Sequence, residues 1–388
     1  MKKLGLRVWE FFYYTTALLL YPVNMILASW LSKRTYPGSV LHVSRLGHIP
    51  FFMVRQLKAS GRKVDYMAIG ASAGWDSCDY HVQYSMIPFI RIFQEMRWFW
   101  TVAARYEIVH YHFIATLGYS GWDLPVLKQM GRRIVMHFRG CDIRERKKNM
   151  ELNPEFNICQ KCDYYIPYEK KYGCEVSRIN RRRQLAKRYG DAFLVTTPDL
   201  MDFMPQAMYL PLFAPVAEVN EKNPRSKIGG SAITLVHVTN HPGIEGSDEI
   251  DTVVRGLKED GFDVKLTRLS GVSYDKVLEA YANSDLSVGK LKMGYYANAQ
   301  IESMYCGTPA ITFVHPRFMT DDLLDSGFIF TPITKLRQTL EDLLKCPDKI
   351  EKKKLIARES ILRLHDNKVL AERLLKLYDE LKSVALPH

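Results

Sequence analysis

The sequence has no internal repeat, no long low-complexity tract and no second CxxC to pair with its single one, which sets aside a solenoid, a disordered tether and a double-CxxC zinc site. Cysteine is scarce and odd in number, seven in 388 residues, a usage that suits reduced thiols in a cytoplasmic protein rather than a disulfide framework. Charge is missing from one long run. Between Glu10 and Lys33, the segment Phe11 to Leu31 has no acid or base apart from its tyrosines, and such a run is about long enough to cross a bilayer. Acidic residues are thin in the first half. Residues 1–215 carry 30 Lys and Arg against 17 Asp and Glu, a net +13, whereas 216–388 carry 24 against 25. The whole basic excess of +12 therefore belongs to one half, as an anionic partner such as phospholipid, lipid diphosphate or nucleic acid would require.

What is present is a globular chain, 47% hydrophobic and 25% charged, long enough for about two to three domains. In the amino-terminal segment Pro22 interrupts the apolar run, and Tyr13, Tyr14, Thr15, Thr16, Asn24 and Ser29 dilute it. The reading is a membrane-associated helix or kinked re-entrant segment, ahead of a full span or a soluble packing helix. No small-x-small site follows it, which argues against a cleaved signal peptide. Lys2, Lys3 and Arg7 on one flank and Lys33 and Arg34 on the other leave its topology open. A second stretch, Met86 to Ala104, interleaves aromatic residues with Arg91 and Arg97, as in a helix lying at a lipid interface or one packed in the core. A nucleic-acid partner is not expected, because no binding motif accompanies the basic half, although the run Arg181 to Arg183 could contact phosphate.

From Ile233 onward strand and helix patterns alternate. Ile233–Val238 reads as a strand, 239–247 as a Gly-rich turn and 248–260 as a helix. Asp263–Leu269 reads as a strand, Tyr274–Asn283 as a helix, Leu286–Val288 as a strand, and a further helix and strand follow to Phe313. Alternation of this kind gives a parallel sheet, with ligands at the carboxyl ends of its strands. In the first half Ser39–Val43, Tyr106–Phe113 and Arg133–Ile143 read as strands, and Ser44-Arg-Leu-Gly-His-Ile-Pro50 supplies a glycine turn ahead of a helix.

The stretch Glu302-Ser-Met-Tyr-Cys-Gly-Thr-Pro-Ala-Ile311 resembles the Glu-Ala-Met-x-x-Gly-x-Pro-Val-Ile pattern of the donor-sugar domain in GT-B glycosyltransferases of the family 4-like type, many of which build bacterial polysaccharides and lipids. The strand ends His110-Tyr-His112 and His137-Phe-Arg-Gly-Cys-Asp142 are similar to that family's His-x-His and His-x-His-Gly-x-Asp pairs, with Arg139 in place of a His and Cys141 in place of a Ser. The resemblance covers most of residues 39–365. It implies an α/β GT-B fold, two Rossmann-like domains facing a cleft, and a nucleotide-diphosphate sugar as donor. It implies transfer with retention, in which the leaving diphosphate helps to deprotonate the acceptor, and no catalytic metal.

The same resemblance implies that Glu302 binds the ribose hydroxyls, that His137 contacts the transferring sugar, and that Asp142 orients a neighbour or the acceptor. Gly47, His48, His112 and Arg139 are expected on the acceptor side. His241, Gly246, Ser247, Arg268, Gly271, Lys290, Tyr296, Asn298 and Ala299 are expected around the donor. The chain departs from the family at the diphosphate grip: Glu245-Gly-Ser247 stands where relatives carry Lys-Gly-Thr/Ser, and His241, Arg268, Lys290 and Lys292 are the replacement cations. A lysine at position 245 is therefore expected to strengthen donor binding or leave it unchanged.

Cys159-Gln-Lys-Cys162, with Cys174 and Cys141, could hold a structural zinc ion, the alternative being reduced thiols. The expected organisation is a membrane-associated segment over 1–36, an acceptor-side domain over 37–215, a linker over 216–230, a nucleotide-sugar domain over 231–365, and a terminal helix over 366–388 that packs back on the first domain. The expected function is glycosyl transfer to a lipid-linked or polysaccharide acceptor at the cytoplasmic face of a membrane, with biosynthetic enzymes as further partners. The alternative is a catalytically silent subunit of the same fold that binds a sugar nucleotide or a partner enzyme.

Overall fold

The computed structural model describes residues 2–32, 35–45, 49–70, 78–113, 116–162, 174, 176–214 and 232–383. Gly47 and His48, the expected acceptor-side turn, lie outside the described residues, as does the expected linker.

The first sheet has seven parallel strands: β1 (Tyr36–Ser44), β2 (Val64–Ile69), β3 (Tyr80–Val82), β4 (Tyr106–His112), β5 (Arg133–Phe138), β6 (Ala192–Val195) and β7 (Met208–Tyr209). Their spatial order is β3-β2-β1-β4-β5-β6-β7. The inner strands are buried at nearly every position rather than at alternate ones, because a parallel sheet is covered on both faces. One face packs Val109, Tyr111, Ile134 and Met136 against Ala28, Phe99 and Leu124. These last come from α1 (Lys2–Leu31), α3 (Pro88–Thr101) and α4 (Asp123–Gln129). The other face packs Val40, Ile108 and Val135 against Phe52, Leu57, Leu370, Leu374 and Tyr378. The helices there are α2 (Ile49–Ala59) and the terminal α14 (Asn367–Ser383). Between α5 (Arg146–Leu152) and α6 (Val176–Tyr189) the chain carries the Cys159 turn.

The second sheet, order β12-β11-β10-β8-β9, is also parallel. It contains β8 (Ile233–Val238), β9 (Val264–Leu269), β10 (Leu286–Val288), β11 (Ala310–Thr312) and β12 (Ile329–Phe330). The short α7 (Pro242–Glu245) and α8 (Ser247–Glu259) follow β8, α9 (Tyr274–Ala282) follows β9, and α10 (Asn298–Tyr305) precedes β11. Helices α11 (Asp321–Leu324), α12 (Leu336–Lys345) and α13 (Asp348–Leu364) close this half. Strand order reverses between β1 and β4 in one sheet and between β8 and β10 in the other, so each sheet has a crevice at those carboxyl ends.

Pro22 interrupts the apolar run but does not end the helix: α1 runs through it for 30 residues. Proline removes an intrahelical donor, and contacts on both sides of it tie the helix to the domain. Trp9 Nε1 donates to the Met86 carbonyl at 2.6 Å, Trp100 Nε1 to Asn24 Oδ1 at 2.9 Å, and Arg132 Nη2 to the Ser32 carbonyl at 3.0 Å. The buried Glu95 carboxylate accepts from Tyr13 Oη, from Arg91 Nε at 2.8 Å and from Trp122 Nε1 at 3.2 Å. The Arg181–Arg183 run is likewise structural. Arg181 reaches Tyr14 Oη at 3.1 Å, and Arg183 Nη2 donates to the Ile143 carbonyl at 3.2 Å.

Several contacts join the two halves, the Arg317–Asp202 ion pair and the Tyr209–Tyr295 contact among them. At the crossover His365 Nδ1 donates to the Leu212 carbonyl at 2.6 Å, and Asn367 pairs with the Ala214 backbone in both directions at 2.9 Å. At the strand ends Lys161 reaches Glu249 at 2.8 Å, and the Phe156 and Phe313 rings meet edge to face at 5.1 Å.

Candidate active site

The carboxyl ends of β1, β4 and β5 bring four imidazoles together at the first switch point. In register, His42 lies beside His110, and His112 beside His137. His42 Nδ1 is 2.9 Å from His112 Nε2, and His110 Nε2 is 3.2 Å from His137 Nδ1. Arg139 Nη2 donates to His112 Nδ1 at 2.7 Å. Tyr378 Oη, arriving on α14, lies 2.6 Å from His110 Nδ1 and 3.2 Å from His42 Nε2. All four rings are buried, which with the nearby Arg139 charge lowers their pKa, that of His42 to about 3. They are therefore neutral at physiological pH.

His42, His110 and His112 offer nitrogens close enough to suggest a metal site, but every ring nitrogen of the three already has a hydrogen-bond partner. The ring planes differ by 10° to 26°.

Two buried nitrogens in this cluster, His137 Nε2 and Arg139 Nε, have no partner among the described residues. An unmet buried donor costs about 1–3 kcal/mol, so these are the atoms that a ligand's oxygens would satisfy. Asp142 is fully buried and accepts from the Gly140 amide at 2.8 Å and the Arg139 amide at 3.1 Å. Its carboxylate holds the loop that carries Arg139, so it orients a neighbour.

At the second switch point the loops after β8 and β10 meet. Gly246 joins α7 to α8 with φ +79, and a Cβ there would stand 3.0 Å from Lys292 Cε, so only glycine fits. Ser247 is fully buried and its hydroxyl is engaged with His237 Nε2 at 2.8 Å. Glu245 is buried, pairs with the Lys290 ammonium and accepts the Lys290 amide at 3.0 Å. A lysine at 245 would face Lys290 with like charge, a cost to the fold that the expectation of stronger or unchanged donor binding left out. Lys292 pairs with Glu249 at 2.7 Å and Arg268 with Asp251 at 2.9 Å. The replacement lysines and Arg268 are thus each matched by a carboxylate. His241 stands at the N-cap position of α7 without a side-chain cap bond, its amide donates to Thr239 Oγ1 at 2.9 Å, and the Gly271 amide donates to Asn240 Oδ1 at 3.1 Å.

Helix α10 presents Asn298 and Ala299 in its first turn, where amide N–H groups are unpaired within the helix. Glu302, one turn on, is 8% exposed, and burial raises its carboxyl to about 7 against the hydrogen bond from Tyr274. Tyr296 is placed elsewhere than at the donor. It is buried, and its hydroxyl is 3.0 Å from His365 Nε2 at the crossover. Because His365 Nδ1 is the donor to a carbonyl, Nε2 accepts, and the Tyr296 proton is used there.

The Cys159 turn lies beside this wall. Cys159 Sγ accepts from Asn149 Nδ2 at 3.3 Å. Burial pushes the Cys159 thiol up to about 11 and raises that of Cys174, and nearby Cys141 and Cys162 add to both shifts.

Sequence reasoning missed His42, His237 and Tyr378. A histidine inside an otherwise apolar strand, as in Leu41-His-Val43 and Val236-His-Val238, was the available signal for two of them.

No protein-family model and no curated protein sequence matches this chain. Solved structures do. Sucrose-phosphate synthase from Thermosynechococcus elongatus is 14% identical with a TM-score of 0.58, over 89% of this chain and 100% of that one. HepE from Anabaena, in complex with UDP and glucose, is 9% identical with a TM-score of 0.58, over 88% and 99%. WaaG, a glycosyltransferase involved in lipopolysaccharide biosynthesis, is 15% identical with a TM-score of 0.52, over 87% and 99%. At these identities the likeness is one of fold, and the fold is GT-B.

Proposed function

Given a GT-B fold, we propose that this chain transfers a sugar, with retention, from a nucleotide-diphosphate sugar to a lipid-linked or polysaccharide acceptor at the cytoplasmic face of a membrane. The observation that carries the reading is the pair of unpartnered buried donors, His137 Nε2 and Arg139 Nε, at a strand-end crevice. On the other side Glu302 and the first turn of α10 suit vicinal hydroxyls and a phosphate respectively. The solved structures that share this fold include one in complex with UDP and glucose. His137 would donate to a sugar oxygen, Glu302 would accept from the ribose, and the departing diphosphate would take the acceptor's proton on the same face. No catalytic metal enters this scheme. Thermal unfolding against a panel of nucleotide sugars, followed by donor hydrolysis, tests it: at least one donor should raise the melting temperature. No shift with any common donor at saturation would sink the reading.

A silent subunit is the second reading, and one observation favours it: Lys290, Lys292 and Arg268 are each already paired with a carboxylate. Stabilisation by a nucleotide sugar without hydrolysis or transfer to any acceptor would select it.

The membrane part rests on α1 and α3. By length and composition α1 could cross a bilayer, but its polar contacts with the domain run along its whole length, so a crossing would carry Arg132 and Arg181 into lipid. Its outer face, with Phe11, Leu18, Ile26 and Trp30, is 65 to 76% exposed, and α3 adds Phe89 and Phe93 beside it. Such a face lies in the plane of the interface, with the basic first domain drawn to anionic headgroups. Leu18→Glu with Ile26→Glu should strongly reduce sedimentation with anionic vesicles. Unchanged sedimentation would place the anchor elsewhere.

A structural zinc ion at Cys141, Cys159, Cys162 and Cys174 belongs to the same proposal. Among the described residues the side chains close enough to share an ion are His42, His110 and His112 and not these four thiols, so this part rests on the sequence spacing and on the Asn149 Nδ2 donor to Cys159.

A further inference from the structure

The hydrogen bonds among the buried imidazoles have only one consistent direction. A guanidinium can only donate, so Arg139 makes His112 Nδ1 an acceptor. A neutral imidazole with an acceptor Nδ1 carries its proton on Nε2, and His112 Nε2–H therefore donates to His42 Nδ1. The same rule places the His42 proton on Nε2, from which it donates to Tyr378 Oη. The phenol proton is then directed to His110 Nδ1, and His110 Nε2–H donates to His137 Nδ1. His137 is left with its proton on Nε2, the atom without a partner.

We propose that Tyr378 is a positioning residue that, through His110, fixes His137 as an Nε2–H donor for a ligand oxygen. Tyr378 is the one link among the described residues that joins His42 to His110 in this sequence of bonds. Burial of all five side chains keeps water from substituting for it. Neutral rings are what the chain of bonds requires, and burial holds the four histidines neutral. Because Tyr378 belongs to the helix that returns from the second domain, a residue far from the cleft in sequence decides the hydrogen-bonding character of one wall.

The identity of the ligand rests on the glycosyl-transfer reading; the proton order does not. The test is histidine-labelled full-length protein, without substrate, in which imidazole nitrogen NMR assigns each tautomer. The parent should show His137 and His110 only as Nε2–H. In Tyr378→Phe, which keeps the ring and so its packing, an Nδ1–H form should appear at His137 or His110, while His112 and His42 remain Nε2–H because Arg139 still drives them. An Nδ1–H form at His137 in the parent, or an unchanged spectrum in the variant, would overturn the proposal. In parallel, Tyr378→Phe should weaken binding of the nucleotide sugar that stabilises the parent by roughly 2- to 12-fold, the worth of one neutral hydrogen bond. A tautomer change with unaltered affinity would leave the relay standing and remove its role toward the ligand.

Discussion

The two walls of the cleft solve the same problem with opposite chemistry. Both place polar groups at buried strand ends, where an unpaired charge would be costly. The first wall does so with four neutral imidazoles ordered by a tyrosine and one arginine. The second does so with full charges cancelled in pairs, Glu245 with Lys290 and Glu249 with Lys292. The difference teaches that the first wall should be sensitive to protons and the second to the loss of a partner.

Acid should separate them most strongly. Each of the four histidines has a folded pKa below its unfolded value of about 6.5, so the unfolded chain binds more protons and stability falls as pH falls through that value. From pH 7.5 to 5.5 the loss is on the order of 1 kcal/mol per histidine, several kcal/mol for the four together. Glu302 has the opposite sign, since its raised pKa of about 7 means that the folded state gains a proton and the second domain recovers about 2 kcal/mol over the same interval. All six tryptophans precede residue 123, so urea unfolding followed by tryptophan fluorescence reads the first domain. A midpoint independent of pH in this range would show that the histidines are not locked neutral.

Glu245→Lys probes the second wall. It removes a buried carboxylate and sets two ammonium groups together, and the expected destabilisation is about 3–5 kcal/mol in calorimetry. A melting temperature equal to the parent's would mean that the Lys290 pair contributes nothing.

Glu302→Gln should spare the fold, because it removes a carboxyl already disfavoured by burial, but weaken binding of a nucleotide sugar by about 1.5–3 kcal/mol. Isothermal titration of both proteins decides it, and equal affinities would take the ribose away from Glu302.

The smallest effect is expected at the cysteines. Metal analysis of the purified chain should find about one zinc per molecule, and Cys159→Ser should lose it while the far wall keeps its nucleotide-sugar affinity. A metal-free parent with full stability would return these residues to ordinary reduced thiols.

Much of the framework was legible. Ile233–Val238 and Leu286–Val288 were bounded correctly because a short apolar run between turn residues has little else to become in an alternating α/β pattern. The strand expected over Arg133–Ile143 stops at Phe138 instead, because Asp142 turns the chain by accepting the Arg139 and Gly140 amides. A kinked re-entrant segment stayed open as a reading around Pro22 because the contacts that tie the helix to the domain on either side are distant in sequence. Lys290 looked like a free cation because its partner stands 45 positions earlier in the sequence.

By itself the sequence determined the order of strands and helices, the apolar amino-terminal run and the basic first half, since these follow from the period and composition of neighbouring residues. Only the tertiary structure decided which polar groups meet. The relay gathers residues 42, 110, 112, 137, 139 and 378. Its proton order follows from the distances and directions between rings on three strands and a returning helix, and those exist only once both sheets and the crossover are in place.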